Sequence, residues 1–147
     1  MELPLPRTAV FAFFADAENL GRITPREMGF NITAPLPISM AAGTLIDYTI
    51  RVWGVRLQWR TRIAEWNPPD FFIDEQLKGP YRQWVHTHRF TDTPSGGTAI
   101  EDEVDYVLPF GLLGRIAAPL IRLQLARIFR FRQTAVARLM NVASPHA

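Results

Sequence analysis

A chain of 147 residues with 48% hydrophobic content has the size of one domain and can bury roughly 70% of its unfolded surface in one core. The net charge is only +2, and the sequence pI of 9.5 comes from basic residues that are nearly all arginines, scattered without a run, which argues against a nucleic-acid partner. Cysteine is absent, so disulfides and thiolate metal sites are excluded, as suits a reducing cytoplasm.

The N-terminus has no basic region followed by an apolar core and a cleavage site, so a cytoplasmic location is expected. The longest uncharged stretch, Met28 to Ile46, is interrupted by Gly29, Asn31, Pro35, Pro37 and Gly43 and reads as strand and loop, so no stable membrane insertion is expected.

In chain order, Glu2 to Leu5 is at most a short edge strand, because Pro4 and Pro6 each remove a backbone donor. From Arg7, the spacing of Val10, Phe13, Phe14 and Ala17 predicts a helix, and Asp16 is placed to cap a second short one carrying Leu20 and Ile23. Thr24-Pro25 ends that pair. Phe30 to Thr33 reads as a short strand, followed by a proline-broken loop to Gly43. Leu45 to Trp53 and Val55 to Trp66 alternate around Gly54 as a long hairpin. Strands at Phe71 to Lys78, Tyr81 to Thr91 and Thr98 to Leu108 follow, separated by Asn67-Pro68-Pro69-Asp70, Gly79-Pro80 and Thr93-Pro94-Ser95-Gly96-Gly97. This is an antiparallel meander with one buried face. After Pro109-Phe110-Gly111 one helix runs to about Asn141, with a break or kink expected at Pro119. Ile121, Leu125, Ile128, Val136 and Leu139 share one side of it and Arg115, Arg122, Arg127 and Arg130 the other. The concave face of the sheet is the only apolar partner large enough for that helix.

The expected fold is therefore α+β, a curved antiparallel sheet of six to seven strands wrapped on a long C-terminal helix, as one domain over residues 1–147. The segments Phe11-Ala12-Phe13-Phe14-Ala15-Asp16-Ala17-Glu18-Asn19-Leu20, Ile23-Thr24-Pro25, Gly79-Pro80-Tyr81, Trp84-Val85-His86-Thr87-His88-Arg89-Phe90 and Leu108-Pro109-Phe110-Gly111 resemble a bacterial polyketide cyclase/dehydrase-like branch of the SRPBCC, START-like helix-grip superfamily. That superfamily includes START lipid-transfer domains and birch-pollen-allergen-like proteins. The resemblance covers nearly the whole chain and implies a ligand cavity, used in the superfamily for lipid carriage, hormone sensing or ring closure, a choice that the fold does not make. Such folds begin with a full-length strand paired to the last strand of the meander. Here either that strand is stunted, leaving an edge open to a second copy of the chain, or further residues precede Met1.

Apolar content selects the inward face of each strand. It puts Ile46, Tyr48, Ile50 and Val52 inside, then Trp59, Thr61 and Ile63, then, by a narrow margin, Ile73, Glu75 and Leu77. It does the same for Trp84, His86, His88 and Phe90, and for Asp102, Val104, Tyr106 and Leu108. The expected ligand-binding set is Tyr48, Trp59, Trp84, His86, His88, Tyr106, Phe110, Ile121, Leu125 and Ile128. Two imidazoles on an apolar face are the sharpest feature. They either contact a ligand or move a proton, with Glu75 or Asp102 orienting them, or they are satisfied within a fixed internal network. A metal on His86-x-His88 would need a third ligand from Glu75 or Asp102, and the expectation is that no metal or cofactor is held. Arg132, among apolar helix positions, either snorkels to water or meets a ligand carboxylate. Arg60 and Arg62 belong on the solvated face.

No nucleophile elbow, phosphate-cradling loop, dinucleotide fingerprint or paired-cysteine motif occurs, and Ser39, Ser95 and Ser144 have no evident base. The leading expectation is a binding protein for a hydrophobic or aromatic small molecule. A cyclase- or dehydratase-type enzyme with a histidine base (candidates His86, His88, Glu75 and Asp102) is the second, and an interaction module with a vestigial cavity the third.

Overall fold

In a computed structural model that describes residues 1–140, seven strands form one sheet in the order β1-β7-β6-β5-β4-β3-β2, every neighbouring pair antiparallel. The strands are β1 (Glu2–Leu3), β2 (Asn31–Ile32), β3 (Leu45–Val52), β4 (Val55–Asn67), β5 (Phe71–Lys78), β6 (Gln83–Asp92) and β7 (Thr98–Val107). The helices are α1 (Arg7–Phe14), α2 (Asn19–Arg22) and α3 (Gly111–Leu139), with a 3-10 turn at Arg26–Met28. This is the α+β helix-grip architecture expected from the pattern of elements. The expected helix end near Asn141, and Ser144, lie outside the described residues.

Turn chemistry sets the meander. Trp53 and Gly54 both have positive φ, 48° and 80°, and link Val52 to its partner Val55 as a two-residue hairpin turn whose twist matches that of the strands. A register shift between Ile63 and Glu65 in the β4–β5 ladder adds one residue to β4. Ile63 and Trp66, an odd number of positions apart, thereby both reach the inner side, where each packs in the core.

The first strand is two residues long in this chain. Glu2 and Leu3 pair with Ala99 and Thr98, and the ladder is extended only by the Met1–Ile100 bonds and by Thr98 Oγ1 donating to the Leu5 carbonyl. Gly97 is required here, because a Cβ would meet the Leu3 carbonyl oxygen at 2.4 Å. From Glu101 onward β7 has no strand on its outer side among the described residues.

One end of the molecule is solid. Leu3, Val10, Phe11, Phe14, Ile23, Phe72, Phe90, Ile100 and Val136 form a continuous buried cluster in which α1 and the end of α3 close on β5, β6 and β7. The phenyl rings of Phe11, Phe14, Phe72 and Phe90 meet at centroid distances of 5.2–6.2 Å, mostly edge to face. The long helix is fixed at both ends. Gly114 sits so close to the end of β7 that a Cβ would lie 2.3 Å from the Pro109 carbonyl, and Val136 and Ala137 are buried at the other end. Helical structure continues through Pro119, so the expected break does not occur. No helix among the described residues is long and apolar enough to cross a membrane.

Candidate functional site

Between its two fixed ends α3 spans a cavity of about 500 Å³. The sheet wall comes from Ile46, Tyr48, Ile50 and Val52 of β3, Leu57, Trp59, Thr61 and Ile63 of β4, Phe72 and Asp74 of β5, and Trp84, His86 and His88 of β6. Ile121, Leu125, Ile128, Phe129 and Arg132 of α3 form the opposite wall. Trp53, Val55, Phe110 and Leu113 also line it yet are exposed, Trp53 by 62% and Phe110 by 82%. They mark its mouth. The inner end abuts the phenylalanine cluster, so the cavity runs from an apolar rim to a packed floor.

At that floor lie the two histidines, each 4% exposed. Their rings sit 3.7 Å apart by centroid, and His88 stacks on Phe72 at 4.2 Å. Cross-strand register places Asp74 opposite His86 and Asp102 opposite His88, so each imidazole lies between two carboxylates. His86 Nε2 bonds Asp102 Oδ1 at 3.1 Å and His88 Nε2 bonds Asp74 Oδ2 at 2.9 Å. His88 Nδ1 is 2.8 Å from Asp102 Oδ1 but is not aligned to hydrogen-bond it. His86 Nδ1 lies 3.6 Å from Asp74 Oδ2, beyond hydrogen-bond length.

The charges follow from this packing. Burial, reinforced by the neighbouring His88, pulls His86 down to about 4. Burial opposes the charged form of His88 as well, but the close Asp102 carboxylate and the bond to Asp74 outweigh it and raise His88 above its ordinary value. Burial alone would raise both aspartates; the two histidines, joined at Asp74 by the charge of Arg132, instead hold them below the usual carboxylate range. His86 is therefore the neutral imidazole of the group, and His88 is the ring whose protonated form the two carboxylates favour. His86 then donates Nε2–H to Asp102 and keeps a lone pair on Nδ1. Burial also raises Tyr48, and pushes Tyr81 up to about 12, so both phenols stay protonated.

Two buried donors on the cavity wall lack an acceptor among the described residues: Trp59 Nε1 and Arg132 Nε. Trp59 is held by stacking on Tyr48 at 5.9 Å and by edge contacts with Tyr81 and Trp84. The Arg132 guanidinium lies over the Phe129 ring, 5.2 Å from its centre, and forms no ion pair with a described residue within 4 Å. Arg132 is half-buried, with its Nε buried on the cavity wall.

Most of the expected wall comes together, with three corrections. Glu75 is on the outer face, opposite and bonded to Arg62, in a ladder with Asp47–Arg60 and Arg89–Glu103; Asp74 takes its place inside. Ile73 and Leu77 outnumber Phe72 as apolar residues and misdirected the choice of face. The missed signal was register: a hairpin folded symmetrically about Pro80 puts residue 74 opposite His86 and residue 72 opposite His88, and partners across a ladder share a face. Tyr106 lines a smaller recess with Val104, Arg122, Leu125, Ala126 and Phe129, which Asp102 also borders, rather than the main cavity. Phe110 is at the mouth, not the inner wall.

The family model described as polyketide cyclase / dehydrase and lipid transport matches residues 3–131. No curated protein matches the chain in sequence. Among solved structures it is similar to TTHA0849 from Thermus thermophilus, with 15% identity, 94% of this chain and 91% of that one covered, and a TM-score of 0.73. Protein CV1439 from Chromobacterium violaceum shares 15% identity over 95% and 92% of the two chains, with a TM-score of 0.69. Ginseng major latex-like protein 151 from Panax ginseng shares 11% over 94% and 89%, with a TM-score of 0.58. At these identities the likeness is one of fold.

Proposed function

We propose, for a chain that belongs to the polyketide cyclase / dehydrase and lipid transport family, that the cavity binds and carries a hydrophobic small molecule whose inner end bears a hydrogen-bond acceptor, such as a carboxylate or carbonyl. The family and the helix-grip neighbours are compatible with either hydrophobic-ligand binding or a cyclase-like role. The observation that carries the binding reading is an apolar space of about 500 Å³, within the range of small-molecule sites, whose lining includes Trp59 and Arg132, each with a buried N–H that has no acceptor among the described residues. An unsatisfied buried N–H costs roughly 1–3 kcal/mol. An acceptor on the ligand would recover that cost, while aromatic walls supply most of the affinity.

Native mass spectrometry of freshly purified protein checks for a co-purifying molecule. Titration with an anionic naphthalene-sulfonate probe, read by quenching of tryptophan emission, checks the site directly. Saturable binding at one equivalent is expected, and it should weaken in Trp59→Phe, which removes the donor and keeps a ring. Absence of both a co-purifying molecule and saturable probe binding would overturn the reading.

The second reading, a cyclase- or dehydratase-type enzyme, has one specific support. Neutral His86, oriented by Asp102, keeps a lone pair on Nδ1 that no side chain occupies, which is what a general base needs. His86→Gln would then abolish turnover of an enolisable substrate while leaving probe binding intact.

A further inference from the structure

The four side chains at the cavity floor have an arrangement that neither ligand carriage nor acid–base chemistry requires. Each histidine presents one nitrogen to Asp74 and its other nitrogen to Asp102. Donor atoms of Asp74, His86 and His88 lie within 4.8 Å of one another. Two of the separations, 3.6 Å from His86 Nδ1 and 2.9 Å from His88 Nε2 to Asp74 Oδ2, bracket the roughly 3.3 Å between ligands of an ion held at about 2.0–2.1 Å.

We propose that Asp74, His86 and His88 form a binding site for one divalent transition-metal ion of the zinc class, with Asp102 as the carboxylate that orients both imidazoles. Two imidazoles and one carboxylate favour zinc, cobalt or ferrous iron over calcium or magnesium, which prefer all-oxygen sites. His86 Nδ1 and His88 Nε2 are the ligating nitrogens; Asp102 is hydrogen-bonded to the far nitrogen of His86 and stands 2.8 Å from that of His88, the place of the usual second partner of a metal-bound histidine. The reaction is an exchange: the ion enters, the proton between His88 Nε2 and Asp74 moves off Nε2, to Nδ1 facing Asp102 or, from a doubly protonated ring, to solvent, and no redox change occurs. Three protein ligands leave a position open toward the cavity, where the acceptor end of a bound molecule or water would complete the coordination.

The groups facing the site from every packed element are Tyr48 on β3, Asp74 on β5, Asp102 on β7 and Arg132 on α3. Among the described residues Arg132 is the one opposing arginine, and the two carboxylates offset it. Glu75, one residue from Asp74, is on the outer face with Arg62 and contributes nothing.

The test uses the full chain after dialysis against a chelator, with Co²⁺ as the probe because its visible absorption reports the ligand set. One equivalent of Co²⁺ should bind with visible bands, and Zn²⁺ should displace it. Asp74→Asn and His86→Gln should weaken binding at least 100-fold, and Asp102→Asn about 10–100-fold. Glu75→Gln should change nothing, nor should His146→Gln, which removes the remaining histidine of the chain. If the floor variants do not fold, ¹⁵N spectra of wild-type imidazoles decide: Zn²⁺ should shift the resonances of His86 and His88. No Co²⁺ binding by folded wild-type protein, binding retained in folded Asp74→Asn, or shifts confined to His146 would each overturn the proposal. Saturable probe binding by folded protein that takes up no Co²⁺ would leave the carrier reading standing and remove this one.

Discussion

The two ends of the sheet are built from the same alternating strands and do opposite things. At the β1 side, α1 and the last turns of α3 press phenylalanines into a solid cluster; toward the β3–β4 turn the same helix stands off and leaves a space with exposed Trp53, Phe110 and Leu113 at its rim. Stability resides in the first region and exposed apolar surface in the second. His86 and His88 occupy the boundary, where one ring stacks on Phe72 of the core and the other meets Phe129 of the cavity wall at 5.5 Å. A charged group at that position is shielded from water yet reachable from the space.

The sharpest way to break this contrast is to delete an equal kind of side chain from each region. Phe90, 1% exposed and in contact with Phe11, Phe14 and Phe72, should cost about 3–5 kcal/mol on replacement by alanine. Ile121→Ala on the cavity wall should cost less than about 1 kcal/mol, because the space beside it is already open. Urea denaturation compares the two. Equal losses would mean that the cavity end is packed as tightly as the core.

The boundary itself should show in the pH dependence of metal-free protein. His86 titrates in the fold at about 4 against an ordinary value near 6.5, so between those values the unfolded chain binds the extra proton and stability falls as pH drops. At about 1.4 kcal/mol per pKa unit, the loss is on the order of 3–4 kcal/mol. His88 has the opposite sign. Its raised folded value gives a stabilisation complete below about 6.5 and lost as pH rises through that value. The depressed aspartates add stability that persists until the pH falls below about 4. Stability should therefore peak near about pH 6.5, and His86→Gln should flatten the limb from about 6.5 down to about 4 while leaving the decline above it. A monotonic profile through neutrality would contradict the opposed histidines.

This boundary was half legible in the sequence. Alternation in Trp84 to Phe90 put both imidazoles inside because the bulky apolar residues share their parity, and the hairpins and closing helix followed from turn residues and from a shift in hydrophobic period. What alternation could not supply was the partner. Phe71 to Lys78 has apolar residues on both faces, and only ladder register, set by the turn at Pro80, decides that Asp74 rather than Glu75 meets His86. Arg132 was ambiguous for a different reason. A long side chain on an apolar helix face can reach water or turn inward, and the choice depends on whether the facing sheet leaves room.

Arg132 sharpens the comparison from the cavity side. Replacing it by methionine removes a guanidinium whose Nε has no partner among the described residues, while methionine keeps the contact with Phe129. Stability should stay level or rise slightly, since no bond to a described residue is lost. Affinity for the anionic probe should fall about tenfold, near 1.4 kcal/mol, and a neutral apolar probe should lose almost nothing. A fall in stability with unchanged selectivity would assign Arg132 to the core instead.

The smallest effect belongs to the rim. Phe110 is 82% exposed and holds a left-handed backbone at φ 66°, a conformation that disfavours bulky residues and costs on the order of 1 kcal/mol or more. Phe110→Gly should remove that strain without losing packing, so the unfolding free energy should be unchanged or rise by up to about 1 kcal/mol. An aromatic side chain kept exposed and strained has to be judged by the ligand it would cover. Stopped-flow dissociation of the probe should quicken a few-fold in the glycine variant with little change in association. If the core end supplies stability and the rim retains the occupant, these two readouts move in opposite senses at the same residue, whereas a rim that merely completes the fold would lose stability and leave dissociation as it was.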